Sequence, residues 1–346
     1  MRKSVIASSL LAISLVATGC AGSSDAPAEA APEASGDSEW QGVIDAAKEE
    51  GRLTWYSVAP AEVREGLKAA FEEKYPEITL EILAMGTADM NAALEAEHDT
   101  GAEGADLVTS VDYGWILDKS EEGWISDLEG PSAEMPEWGD YIINDQIVNA
   151  GLGLMVLGWN TSLYSGTVES YDDLLISDLG DGAIGTARPE PAIHADHWAF
   201  VEESHNPDYQ AELAAQDPAL YPSAFALQEA LAAGEVAVGA FVSAADMVGL
   251  KDKGAPVEFA VPDPALAIGN MFFIPTSGKN QNAAQLFMDF FLSEEGQAIA
   301  AKNAFSPLSS VDTLAGTSEV VLTNVDRVLD QDWFTGYLTE WKAIYE

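Results

Sequence analysis

The sequence predicts an α/β protein on a mostly parallel sheet, and three observations carry that expectation. First, residues 53–83 read as one strand–helix–strand unit. Leu53–Tyr56 (LTWY) is a short apolar, aromatic-rich run suited to a buried strand. Pro60 fits a first helical turn, and Val63, Leu67, Ala70 and Phe71 recur at three- and four-residue spacing as one apolar face. Pro76 stops that helix, and Ile78, Leu80 and Ile82 alternate as a second strand. Such a unit builds parallel strands through a right-handed crossover. Second, much of the remaining chain repeats this arrangement. Third, 346 residues, 47% of them apolar, suffice for about two domains with a sizeable core.

In chain order, Arg2 and Lys3 precede an apolar run, Val5–Val16, and then Ala17-Thr18-Gly19-Cys20. A positive start, an apolar stretch of secretory length and small residues at the cut predict a signal peptide over residues 1–19. The run is too short for a mature membrane span, which needs about 20 residues. The small residues before a lone Cys resemble the lipobox of bacterial lipoproteins, which implies diacylation of Cys20; the alternative is an ordinary signal peptide with an incidental Cys. Cys20 is the only cysteine, so an exported chain has no internal disulfide and no thiol chemistry. Residues 20–39 are rich in Ala, Ser, Pro, Glu and Gly and read as a disordered tether with a reach on the order of 60 Å.

Trp40, Val43, Ile44 and Ala47 mark one face of a helix over 40–50, stopped by Gly51. After the opening unit, Thr87 can cap a helix to about His98 with Met90 and Leu94 inward. Ala105–Val108 is a strand, residues 109–113 its carboxyl-end loop, and Trp115–Leu117 begin a helix. Ile142–Asn160 is a second organising stretch ending in Gly158-Trp159-Asn160-Thr161. Further on come a short helix (Tyr171–Leu175), a strand (Gly182–Thr186), a helix start (His194–Glu203) and a connector (Asp217–Tyr221). A Ser223-capped helix to Ala233 precedes a strand over Val236–Phe241. A helix then closes at Lys251–Lys253 and Gly254, and a strand covers Pro256–Val261. Asn282–Leu292 is strongly apolar, Ser293 caps the next helix, and Trp333–Tyr345 is helical.

The charge is extreme: 15 Lys and Arg against 58 Asp and Glu give −43, and removal of residues 1–19 takes away two bases and no acid. Nucleic acid and anionic membrane surfaces are therefore poor partners. Two readings remain for the acidity, a solvated surface suited to salty surroundings and attraction of a cationic solute.

Six segments in this order resemble the bacterial extracellular solute-binding proteins that feed ABC importers, in the group containing ferric-ion, thiamine and polyamine binders. They are AAKEEGRLTWYS (46–57), ADLVTSVDYGW (105–115), VLGWNTSL (156–163), LAAGEVAVGAF (231–241), KGAPVEF (253–259) and AAQLFMDFFLSEEGQAIAAKNAFSPL (283–308). The resemblance implies a two-lobe periplasmic-binding-protein-like fold of type II, with ligand in the cleft and closure about a hinge. It places one lobe at 40–146 and 262–308, the other at 147–261, and a helical segment at 309–346 packing on both. The expected partners are a small-molecule solute, the importer's membrane permease and the membrane itself through the lipid anchor only. A monomer without a cofactor, exported and facing outward, completes the expectation.

Polar residues at the carboxyl ends of expected strands are the ligand candidates: Ser57, Thr109, Ser110, Asp112, Asn160, Thr186 and Ser243, with Asp246 in the turn that follows. The same residues can equally be turns and caps. Arg188 is the only Arg or Lys between Lys119 and Lys251, suited to a carboxylate or phosphate on the solute or to a rim ion pair. His194, His197 and His205 form the only histidine cluster, and His197 is taken toward the cleft rather than as a metal ligand. Tyr113 and Trp159 can lie against the solute. In the ferric binders that the chain resembles, tyrosines hold the metal, and the corresponding positions here are Ala244-Ala245 and Trp159. Neither alanine nor indole offers anionic oxygen, so an organic solute is expected and iron is the alternative. The chain has no G-x-S-x-G elbow, P-loop or H-E-x-x-H, which leaves an exported carboxylate hydrolase as the rival class and an adhesive lipoprotein as a third.

Overall fold

The computed structural model describes residues 35–175 and 182–346. The signal sequence, Cys20 and most of the tether lie outside the described residues. Helix α1 (Ser35–Glu50) begins earlier than Trp40 and leads into β1 (Arg52–Ser57), α2 (Ala61–Lys74), β2 (Thr79–Ala84), α3 (Thr87–Thr100), β3 (Leu107–Ser110) and α4 (Tyr113–Glu121). The opening unit is therefore as expected, although Pro60 is the N-cap of α2 rather than part of its first turn. Strand β3 begins and ends two residues later than the sequence suggests, so Thr109 and Ser110 are strand residues, not loop. A 3-10 turn (Pro136–Trp138) precedes β4 (Ile142–Ile143) and the long β5 (Ile147–Asn160).

A second 3-10 turn (Tyr171–Leu175) is followed by β6 (Ile184–Ala187), α5 (Ala192–Ser204), α6 (Tyr209–Ala214), β7 (Ala219–Tyr221), α7 (Ala224–Ala233), β8 (Val238–Ser243), α8 (Ala244–Asp252) and β9 (Val257–Ala260). The Asp217–Tyr221 connector thus contains a short strand. Ser223 caps α7 by accepting from the Ala226 N–H, and Gly234 ends it in the left-handed conformation, as composition requires. The chain then returns through β10 (Ala265–Phe273), α9 (Gln281–Leu292), α10 (Glu294–Ala300), β11 (Val320–Leu322), α11 (Val325–Leu329) and α12 (Gln331–Tyr345).

The strands order β2-β1-β3-β10-β5-β8-β6-β7. Strand β1 is parallel to β2 and β3, and β6 is parallel to β7 and β8, so each flank is an α/β half. Between them β10 and β5 run antiparallel to each other, to β3 and to β8, while β11 joins β10 in parallel. The first half packs Trp55, Phe71, Phe272, Phe287, Phe290 and Phe291 in one core. The second packs Trp198, Tyr171, Tyr209, Phe241, Val238 and Leu157. Strand β5 feeds both, with Val148 and Ala150 in the first core and Leu152 to Val156 in a third cluster beneath α7 and α8.

Asp106 holds the first half together. Its buried carboxylate accepts from the Lys279 and Asn280 N–H groups through Oδ1, and from the Thr54 N–H and Asn280 Nδ2 through Oδ2, all at 2.9 Å. One side chain thus fixes β1 and the start of α9, where a negative group also suits the helix N-terminus. Asp106→Ala leaves four donors, the Thr54, Lys279 and Asn280 N–H groups and the Asn280 carboxamide, without their acceptor and is expected to cost about 3 kcal/mol or more in urea unfolding. A loss below about 1 kcal/mol would show that the carboxylate does not secure α9.

Candidate functional site

Strands β2, β1 and β3 are parallel, so their carboxyl ends and the amino ends of α2, α3 and α4 meet at one edge of the sheet. A cavity of about 610 Å³ opens there, lined by Ser57, Arg64, Gly86, Thr87, Val111 and Asn270 among others. Ser57 ends β1, and its buried hydroxyl accepts the Ala59 N–H at 3.1 Å, leaving its own proton free to donate. Helices α2 and α3 begin at Pro60 and Gly86 with no side-chain cap, which leaves first-turn N–H groups facing this edge. Asn270 comes from β10, where its Nδ2 donates to the Gly151 carbonyl at 3.2 Å.

Arg64 is the cavity's only charged side chain. One of its terminal nitrogens, Nη1, donates to the Ala59 carbonyl, its Nε is buried without a partner, and no described carboxylate pairs with it. Nothing local in the sequence singles it out, since Arg52 and Lys68 lie close by in the chain, whereas Arg188 stands alone. The available signal was position: an arginine in the first turn after the β1 turn.

The other candidates divide by location. Thr109 accepts from the Trp55 indole at 2.8 Å and is fully buried. Ser110 accepts from the Asp112 N–H at 3.4 Å. Asp112 caps α4 through the Trp115 N–H and holds Asn91 at 2.8 Å. Tyr113 donates to the Gly269 carbonyl at 2.6 Å, and burial pushes its phenol well up. None of the four lines the cavity, and each is engaged within the fold.

Ser243 and Thr186 lie in the other half. Ser243 ends β8 and caps α8 through the Asp246 N–H at 3.5 Å, with Asp246 exposed. Thr186 is buried, and its hydroxyl lacks a partner. Ser243 faces Met155 across β5, whereas Asn270 faces Ala150. Five residues of strand separate the two levels by about 17 Å. Trp159 and Asn160 are farther still. Strand β5 runs antiparallel to β8, so its carboxyl end lies beside Val238, at the amino end of β8. Asn160 there donates to the Leu231 carbonyl at 2.7 Å and accepts from the Ser162 N–H. The structure does not bring this pair to the Ser57 edge.

Arg188 follows β6 and pairs with Glu346 at 2.6 Å, its guanidinium over the Trp341 ring. His197 is buried among Tyr171, Trp198 and Phe241, and its Nε2 lies 3.3 Å from the Tyr171 hydroxyl. Burial holds it well below the usual histidine range, and His194 is lowered for the same reason. Among the described residues no group of three His, Cys, Asp or Glu is placed to hold a metal.

Behind the cavity the halves touch through the C-terminal segment. Helix α11 packs on α5 and α4, and its Val325 and Val328 join Ile193 against the cluster around Tyr113. Buried Asp196 of α5 accepts from the Asn324 N–H at 3.0 Å and lies 3.4 Å from Arg327.

A mixed sheet with two parallel flanks, crossed by antiparallel strands and notched at one carboxyl edge, defines the two-lobe binding fold. The chain belongs to the bacterial extracellular solute-binding proteins, whose family model matches residues 52–298. That family consists of transport substrate-binding proteins. No curated protein matches the chain. Among solved structures, the substrate binding protein of an ABC transporter from Agrobacterium tumefaciens is similar at 17% identity with a TM-score of 0.66, covering 87% of this chain and 97% of that one. PotD of a spermidine/putrescine ABC transporter from Streptococcus pneumoniae is 16% identical with a TM-score of 0.63, covering 85% and 99%. Iron-bound HitA from Pseudomonas aeruginosa is 18% identical with a TM-score of 0.60, covering 85% and 99%. Among the described residues no helix is long and apolar enough to cross a membrane.

Burial raises the Asp196 carboxyl from its ordinary 3.8 to about 6, against the opposing pull of the Asn324 N–H and Arg327. The folded chain therefore keeps a proton that the unfolded chain releases, and this contribution to stability is present below pH about 4 and lost as pH rises to about 6. Asp196→Asn removes that dependence. The stability of the parent relative to the variant should fall between those pH values in urea midpoints; a rise would mean that the Arg327 ion pair dominates.

Proposed function

We propose that the chain is the lipid-anchored receptor of an ABC importer, which captures a small polar solute at the Ser57 edge and delivers it to the membrane permease. The single observation that supports this best is the cavity itself. It sits where parallel strands end, beside two strands that cross between the halves, and its lining mixes hydroxyls, free N–H groups and one cation. Lobes over 40–146 with 262–308, and over 147–261, fit closure about β5 and β10, bringing Ser243 and the end of β6 toward Ser57. Lipidation at Cys20 rests on the sequence Ala17-Thr18-Gly19-Cys20.

Small-angle scattering of the purified domain should show a smaller radius of gyration at saturating solute; an unchanged profile at saturation would sink hinge closure. Cys20→Ala should move the protein from the membrane fraction to the soluble exported fraction, and identical fractionation of parent and variant would place the anchor elsewhere. Titration with chelated ferric iron should give no coloured one-to-one complex, since tyrosinate ligands are absent from the positions noted above. Turnover of ester or amide substrates, rather than stoichiometric binding, would favour a hydrolase.

A further inference from the structure

We infer that the solute carries an oxyanion, a carboxylate or a phosphate, and that Arg64 is its principal anchor. This rests on the receptor reading above and deepens it. The chain has 58 acidic residues against 15 basic ones, yet the cavity lining contains no Asp or Glu and one Arg. A site evolved for a cation would place some of that abundance of carboxylate in its walls; this one excludes it. Sequence neighbours that could neutralise Arg64 are directed elsewhere, as Glu62 pairs with Lys302 at 3.0 Å.

The guanidinium is also incompletely used. Its Nη1 is held by the Ala59 carbonyl, which fixes the plane of the group, while Nε is removed from water with nothing to donate to. A buried donor without an acceptor is costly, and an oxyanion arriving in the cavity supplies one. The Nε and Nη edge of a fixed guanidinium matches two oxygens of a carboxylate or phosphate. Ser57 can donate its hydroxyl proton, and the uncapped first turn of the fourteen-residue α3 at Gly86 and Thr87 adds N–H groups to the same wall. Asn270 uses its Nδ2 within the fold, which leaves its carbonyl oxygen to accept from a hydroxyl or amine on the body of the solute.

The Arg64 site is tested by titrating the whole exported chain, with heat detection, against inorganic phosphate, glycerol phosphate, a hexose phosphate, citrate, the unphosphorylated hexose and putrescine. At least one anion should bind, and Arg64→Gln should weaken it about tenfold or more. Arg64→Lys should recover part of the loss, because it restores charge but not the fork. Lys74→Gln, which removes a cation outside the cavity, should bind as the parent does, and thermal melting of the free variants separates misfolding from lost contact. Preference for glycerol or hexose phosphate over inorganic phosphate identifies an organic phosphate, and preference for citrate identifies a carboxylate. Binding of the hexose or putrescine alone would overturn the oxyanion and leave the receptor reading in place. Equal affinity of the parent and Arg64→Gln for an anion would overturn the role of Arg64. No binding by any member of the panel would overturn the oxyanion inference, while the receptor reading stands or falls by the scattering and fractionation tests above.

Discussion

Strands β5 and β10 hydrogen-bond to each other over Ile147–Leu154 and Ala267–Phe273, and the two parallel flanks, β2-β1-β3 and β8-β6-β7, lie on opposite sides of that pair. Each flank is parallel and is covered by its own helices, but neither is complete without a crossing strand. The pairing is irregular at one level, as is that of β5 with β8 between Val156 and Leu157. The register shifts between Ile268 and Asn270, and Gly151 adopts a positive φ of 64°. A side chain at Gly269 would meet the Asn149 carboxamide oxygen at 1.8 Å, so Asn149 would have to turn away to admit one. The Tyr113 hydroxyl is bonded to the Gly269 carbonyl, which couples α4 to this irregular point. A ladder that is continuous yet interrupted at one level can bend at that level while both flanks keep their cores.

Charge is distributed against the average of the chain. Some acids are spent in surface pairs such as Lys74–Glu295 and Lys251–Glu258, which are exposed on both sides and contribute little to stability. Asp106, Asp112 and Asp196 are instead drawn inward onto N–H groups. Between these two uses the cavity remains free of carboxylate. A negative surface around one positive notch slows long-range encounter with an anion, so capture would rely on short-range contacts and strengthen with ionic strength as the repulsion is screened.

Much of the architecture was legible because burial writes periodicity into sequence. The β1–α2–β2 unit, the capped helix α7 and the aromatic helix α9 follow from spacing and punctuation alone. Strand β10 is not legible because Ala265–Phe273 lacks alternation and is broken by Gly269-Asn270, being buried on both faces at the centre of the sheet. The site was half legible. Ser57 lies where strand-end reasoning put it, but the same reasoning misplaced Trp159 and Asn160, since a carboxyl end is useful only if the strand runs with its neighbours. Strand direction is a property of pairing partners distant in sequence, and no local pattern reports it. Arg64 escaped notice because what distinguishes it is the absence of a carboxylate around it, a fact of three dimensions.

The order of the cores along the chain has a consequence for how the protein is made. The first core joins Leu53 and Phe71 to Phe287 and Leu308, and Glu50 reaches across to the Asn282 and Ala283 N–H groups that open α9. The buried residues around Trp198, by contrast, are drawn from Met155 to Leu266. A chain emerging from its amino terminus can pack Phe71 against Ile78, Leu80 and Leu107 early, but the first core is completed only when Phe287 arrives, more than two hundred positions after Phe71. Long sequence separation of contacts slows folding, so the half that carries the cavity closes its core only after the whole of the second core has emerged.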